Sequence, residues 1–279
     1  MGYARALIAV ARLDFADVLR SRWLVFCASV YAALAALFVL VGLRESTVIG
    51  FTGMGRALLS FVHVLVVVLP LLALTATGQI VARARDEGAL ELLLSGPIPR
   101  SAYLLAVAAV RYVVLLAPLL LLMLAMSLLG WISYGQAIPW PFLARCCAVC
   151  TTLLLAFVGM GLSVSTVVRD ASKAMIGLLL VWALAVLLLD LGLVSMMLRW
   201  HLNARAVFLL ASLNPVQCAR MALLSGVDPE LSALGPVGFY LSNRVGASSL
   251  LALGLAWPVV VGLASGGFAL RRFCRNDLV

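Results

Sequence analysis

Six long apolar stretches, at 23–43, 57–82, 102–129, 142–168, 174–198 and 247–270, dominate the chain. Each reaches the ~20 residues that an α-helix needs to cross the hydrocarbon core of a bilayer. Lipid offers no water to a bare backbone, so stretches of this length must fold as helices whose amides and carbonyls bond within the segment. The pattern predicts an all-α integral membrane protein with six transmembrane helices. Composition points the same way: 65% of the 279 residues are hydrophobic and 11% are charged, against ~45–50% and ~25% in soluble domains. Residues 1–279 therefore read as a single transmembrane domain, and soluble work must come from partners.

Nineteen of the 20 basic residues are arginine, lying mostly in short stretches between the apolar runs. The net charge of +9 thus reads as membrane topology, with no nucleic-acid surface implied. An even number of spans puts both termini on one side. That side holds Arg5, Arg12, Arg20, Arg22, Arg83, Arg85, Arg100, Arg169, Lys173, Arg271, Arg272 and Arg275, twelve in all. The opposite side holds seven: Arg44, Arg56, Arg145, Arg199, Arg205, Arg220 and Arg244. The positive-inside rule places both termini in the cytoplasm. Trp131, Trp140 and Trp200 then mark the outer interface and Trp23 the inner one. No cleavable signal peptide is expected, so the first span stays as an anchor. The cysteines at 27, 146, 147, 150, 218 and 274 have neither a disulfide-framework nor a zinc-site spacing.

Before the first span, Ala4, Leu7, Ile8, Ala11, Phe15, Val18 and Leu19 recur at helical spacing while Arg5, Arg12, Asp17 and Arg20 lie off that face. Residues 1–22 are expected to form an interfacial amphipathic helix on membrane lipid, the alternative being the polar start of one long first helix. Residues 199–246 form the only sizeable extramembrane stretch, an extracytoplasmic loop with short helices broken at Asn214-Pro215 and around Asp228-Pro229. No internal repeat supports a secondary transporter.

No phosphate-binding loop exists, since the lone lysine, Lys173, follows Ala-Ser where glycines are required. With only His63 and His201 available, no nucleophilic triad is indicated either. The chain is expected to be non-catalytic and to bind no cofactor of its own. Its most informative stretch, 83–101, joins the second and third spans. Asp86 and Glu87 suit the start of a short helix, and Gly96, Pro97 and Pro99 its end. Glu87 and Glu91 would then share a face with Leu90 and Leu94, a mixed surface suited to docking on another protein. The alternative is a solvated loop with a leucine edge on lipid.

The run from Glu87 through Gly88, Ala89, Leu90, Glu91, Leu92, Leu93, Leu94, Ser95, Gly96, Pro97, Ile98 and Pro99 to Arg100 resembles the coupling-helix region of type 2 ABC transporter permeases. Its usual form there is Glu-Gly-Thr-Leu-Glu-Leu-Leu-Leu, a short spacer, Pro and a closing Arg. The stretch from Ala11 to Trp23 is similar to the family's amphipathic N-terminal helix, especially in the NosY-like branch that serves maturation of nitrous-oxide reductase. Gly50-Phe51-Thr52, Pro70-Leu71 and Leu213-Asn214-Pro215 followed by Arg220 agree with that branch. Ala89, Pro99 and Cys218 depart from it, standing where Thr, Ser or Gly, and an acidic or polar residue are usual. The resemblance covers essentially the whole chain. It implies a permease subunit of a bacterial cytoplasmic (inner) membrane, paired with a second copy of itself. Two copies of a separate ABC ATPase, holding ATP and Mg, would couple hydrolysis to export or transmembrane signalling. It also implies a periplasmic copper-maturation partner. Arg83, Arg85, Asp86, Glu87, Gly88, Glu91, Pro97 and Arg100 would make the main ATPase contact, and Arg169, Asp170 and Lys173 a minor one. The alternatives are a type 2 ABC exporter permease with a peptide, lipid or drug cargo, or a non-ABC scaffold or secondary carrier.

Among the polar residues inside predicted spans, Asp190, His63 and Arg111 are the candidates for a role. Asp190 must face protein or water or be protonated, with His63 and Arg111 as possible partners, although Arg111 is also placed to snorkel to the interface. Cys146 and Cys150 lie one turn apart, weak candidates for a soft metal such as Cu(I) against the plainer reading of small packing residues.

Overall fold

The computed structural model describes residues 2–20, 23–44, 53–96, 98–134, 138, 140–188, 204–226 and 246–275. Among them no strand is present. The helices are α1 (Tyr3–Arg20), α2 (Trp23–Arg44), α3 (Gly53–Thr77), α4 (Ile80–Asp86), α5 (Ala89–Leu94), α6 (Arg100–Tyr134), α7 (Trp140–Val167), α8 (Ala171–Ala183), α9 (Ala204–Ser212), α10 (Pro215–Leu224) and α11 (Ala247–Arg275). A π-helical turn, Leu184–Leu188, continues α8.

Four helical runs are long and apolar enough to cross a membrane, namely Ser60–Asp86, Arg100–Leu129, Trp140–Val167 and Ala247–Arg275. The pair Tyr3–Arg20 and Val25–Leu37, bent by 60°, makes a fifth if it is counted as one span. The predicted fifth apolar stretch enters the described residues as Ala171–Val186, and 189–198 lie outside them. The chain is an all-α, multi-pass membrane protein. At 1.5 Å per residue, the 35 residues of α6 extend about 52 Å, more than the hydrocarbon core. Large apolar side chains such as Leu121, Ile176, Leu180, Val260 and Leu263 are exposed, as they must be where the solvent is lipid.

The centre of the bundle is α7, half of whose residues are buried; it packs against α11, α3, α6 and α10. Between membrane helices, apolar burial gives little drive, so close approach of small residues supplies the contact. A β-carbon on Gly159 would collide with the Gly262 carbonyl, and one on Gly262 would lie 2.8 Å from the Leu155 carbonyl oxygen. Across the same crossing the Ser163 hydroxyl donates to the Ser265 carbonyl at 2.8 Å. Longer side chains fasten the rest: Tyr112 donates to the Thr151 carbonyl at 3.1 Å, and Trp182 to the Val67 carbonyl at 3.1 Å.

In 199–246 the described helices are α9 and α10, with a turn between them at Leu213 and Asn214. Pro215 occupies the first turn of α10, where its missing amide costs nothing. The helix is not peripheral. Val216, Cys218, Ala219, Ala222 and Leu223 are fully buried against α7 and α11. Asn214 caps it by accepting from the Val216 amide at 3.0 Å while its own amide nitrogen donates to the Ala185 carbonyl of the π turn. The expected break at Asp228-Pro229 lies outside the described residues.

Candidate functional site

The second span does not stop at the bundle's edge. A two-residue break at Gly78 and Gln79 separates α3 from α4, and the break is clamped from three directions. Thr77, whose hydroxyl donates to the Ala73 carbonyl at 2.7 Å, lies against Gly161 of α7, where any β-carbon would collide with it. The Val81 amide, orphaned at the start of α4, donates to Ser165 Oγ of α7 at 2.9 Å. Gln79 reaches the Ala171 carbonyl at the start of α8, 3.5 Å away.

The sequence places Asp86 and Glu87 at the start of a short helix; the structure places them at the end of the preceding one. Asp86 is the last residue of α4 and Glu87 its C-cap, with the Glu87 amide donating to the Arg83 carbonyl at 2.9 Å. Gly88 then turns the chain at φ +69°, in the left-handed region that side-chain-bearing residues avoid, and starts α5. Glu87 and Glu91 therefore belong to different helices, and the predicted shared face does not form. Leu90 is buried and Leu92 is 79% exposed, so Leu92 supplies the outward apolar group. Arg83, Asp86, Glu87 and Glu91 are exposed with it, while Arg85 and Arg100 are half-buried. Pro97 and the Leu94 side chain lie outside the described set.

The second predicted connection follows α7. Asp170 caps α8 by accepting from the Ser172 amide at 2.8 Å and the Lys173 amide at 3.5 Å. Arg169, Asp170 and Lys173 are all exposed. The Gln79 to Ala171 bond ties this turn to the start of α4, so the two connections that sequence reading singled out adjoin each other.

Beside them is a cavity of about 580 Å³, bordered by Asp14 and Asp17 of α1, Arg83 and Glu87, and Arg111 of α6. At its side Arg111 Nη2 donates to Asp14 Oδ1 at 2.8 Å, with the two side chains only 15% and 12% exposed. Burial pushes the Asp14 carboxyl above the usual carboxylate range, and the neighbouring guanidinium opposes that shift. Arg111 is thus paired with Asp14 and largely buried rather than snorkelling, while Asp190, the other partner expected for it, lies outside the described residues. Sequence reading overlooked Asp14, although a signal existed: Val10, Asp14 and Val18 form an i, i+4 stripe, and both valines are buried. Arg111 sits likewise between Val107 and Val114. Two opposite charges, each inside a buried apolar stripe, have a strong reason to meet. The α1 positions read as one apolar face in fact divide, with Val18 buried and Ile8, Phe15 and Leu19 exposed.

His63 is half-buried in α3, and Asp190 lies outside the described residues. Cys146 and Cys150 are buried in α7, and Cys147 directs its sulfur at Met123 Sδ, 3.7 Å away. Among the described residues no three His, Cys, Asp or Glu side chains are grouped to hold a metal ion. All six cysteines are free thiols, and Cys218 donates to the Ser212 carbonyl at 3.1 Å.

A bundle of apolar spans held by small-residue crossings, with a charged two-helix connection clamped to it, is the architecture of a multi-pass membrane protein. The family model described as ABC-2 family transporter protein matches residues 8–278, and the chain belongs to that family. It is similar to the "Probable ABC transporter permease protein NosY" of Stutzerimonas stutzeri, 29% identical over 255 residues that cover 89% of this chain and 92% of that protein. It is equally similar to the protein of that name in Pseudomonas aeruginosa, at 29% over 279 residues covering 94% and 97%. The chain is a membrane permease subunit of an ABC transporter, and membership of this family implies an ABC ATPase as partner.

Proposed function

We propose that residues 83–101 form the coupling region through which a separate ABC ATPase, holding ATP and Mg, drives this permease. The observation that carries the reading is the clamped break at Gly78 and Gln79. Force applied to the exposed Glu87, Glu91 and Leu92 reaches α4, and from α4 it passes to α7 through Ser165 and to α8 through Ala171. A docking surface that is rigidly continuous with the central span transmits displacement into the bundle, whereas a loose loop would absorb it. Arg83, Arg85, Asp86, Gly88, Pro97 and Arg100 belong to the main contact, and Arg169, Asp170 and Lys173 to the minor one.

The assembly is a dimer of this chain on two ATPases in a bacterial inner membrane, with both termini cytoplasmic. Its task is export or transmembrane signalling in the maturation of a copper enzyme such as nitrous oxide reductase, with a periplasmic maturation protein on the outer face. The NosY-like motifs support that branch. Replacing Glu87 and Glu91 together by Lys reverses two exposed charges and is expected to release the ATPase, with the permease still inserted. Co-purification and ATPase activity measured in membranes check this, and unchanged assembly and activity would exclude the surface.

A further inference from the structure

The cavity beside α1 has features that ATPase coupling does not use. Its volume of about 580 Å³ falls within the ~300–1,000 Å³ of small-molecule sites. One part of its wall is apolar, from Leu13, Val107 and Met175, and another is ionic. The lining charges are the carboxylates of Asp14, Asp17 and Glu87 and the guanidiniums of Arg83 and Arg111, so acids outnumber bases by one. Beside it, Asp14 Oδ2 and Arg111 Nε are buried without a hydrogen-bond partner, although their neighbouring atoms form the 2.8 Å ion pair. Buried polar atoms left this way are costly and are usually met by water or a ligand. The helix that forms this wall also turns Ile8, Phe15 and Leu19 outward, an apolar stripe suited to lying at the level of lipid headgroups.

We propose that this cavity binds the headgroup of phosphatidylethanolamine from the adjoining leaflet. The phosphodiester would face Arg83 and Arg111, and the ammonium would face Asp17 and Glu87. Three chemical points select this lipid. Carboxylates only accept hydrogen bonds, and a primary ammonium brings three donors where the quaternary ammonium of phosphatidylcholine brings none. An excess of acid disfavours phosphatidylglycerol, which carries a phosphate and no compensating cation. The apolar wall suits the glycerol and upper acyl chain, whereas a soluble phosphate would gain nothing there. The proposal shares Arg83 and Glu87 with the ATPase contact, but Asp14, Asp17 and Arg111 lie outside that contact, so lipid retention by the chain alone and its response to Asp17→Lys fail separately from ATPase docking.

The test is native mass spectrometry of the full chain in mild detergent, titrated in turn with phosphatidylethanolamine, phosphatidylcholine and phosphatidylglycerol. The expected result is retention of phosphatidylethanolamine at about tenfold lower concentration than either rival. Asp17→Lys, at an exposed position whose change spares the buried ion pair, is expected to reverse the order in favour of phosphatidylglycerol. Such a gain cannot come from unfolding. Equal retention of all three lipids, or a preference unmoved by Asp17→Lys, overturns the proposal. Displacement of the lipid by equimolar glycerophosphoethanolamine also overturns it, because the occupant would then be a soluble zwitterion.

Discussion

Asp14 and Arg111 form a largely buried ion pair between α1 and α6. Removing one member of a buried ion pair leaves the other uncompensated, which costs about 3–5 kcal/mol in the interior; with both side chains slightly exposed, the lower end applies. Asp14→Asn is expected to cost about 3 kcal/mol, read as a lower melting temperature in detergent. Because Arg111→Gln would remove the orphaned charge, the double variant is expected to melt above Asp14→Asn, with a coupling of about 1–2 kcal/mol. Additive losses would mean that the pair contributes no interaction. Asn214 offers a second case, since its side chain both caps α10 and donates to the π turn. Asn214→Ala loses both bonds and is expected to cost about 2 kcal/mol. Asn214→Asp keeps the cap but turns a carboxylate toward the Ala185 carbonyl, so it should recover little of that loss. The Asn-Pro pair was legible as a helix boundary, because proline restricts the residue before it. The bond to Ala185 was not, since no local spacing relates two residues 29 positions apart.

At the scale of elements, apolar periodicity locates spans well and their breaks poorly. The run 57–82 reads as one continuous helix. The stop at Gly78 depends on partners elsewhere in the chain: Ser165 for the freed amide and Leu178, whose side chain takes the space a β-carbon at Gly78 would need. The separation of Glu87 from Glu91 was hidden for a related reason, because a glycine before a leucine run fits a helix start and a helix interior alike until φ is known. Packing partners are equally invisible to pattern. Small residues in α7 and α11 mark a crossing only once Gly159 is seen against Gly262. Gly262→Leu is therefore expected to separate those helices and destabilise the bundle by at least about 2 kcal/mol, the scale of overpacking in a tight core. Gly266→Leu, on the same helix with open space at its β-carbon, should be close to neutral. Comparing the two melting curves separates a packing role from general intolerance of bulk in α11.

For the whole molecule, the positive-inside rule predicts the orientation, since the basic residues flanking the spans divide twelve to seven. Thiol labelling decides it, provided that the right cysteine is read. Cys274, in the last turn of α11, is exposed, whereas Cys218 is buried in α10 and hydrogen-bonded to Ser212. An impermeant maleimide is therefore expected to leave intact right-side-out cells unlabelled and to modify Cys274 in inverted vesicles. Cys274→Ser should abolish that signal. Cys218 should react only after denaturation, so its silence in the folded protein carries no topological meaning. Labelling of Cys274 in intact cells would put the C-terminus outside and, with the ATPase confined to the cytoplasm, would remove the α4–α5 connection from its reach if α11 leaves the bundle on the same side. The last point can be checked independently, because Tyr103 near the start of α6 stacks on Phe273 at a ring separation of 5.9 Å. The end of α11 and the start of α6, which follows α5, therefore share one end of the bundle, and the position of Cys274 reports the side on which the connection lies.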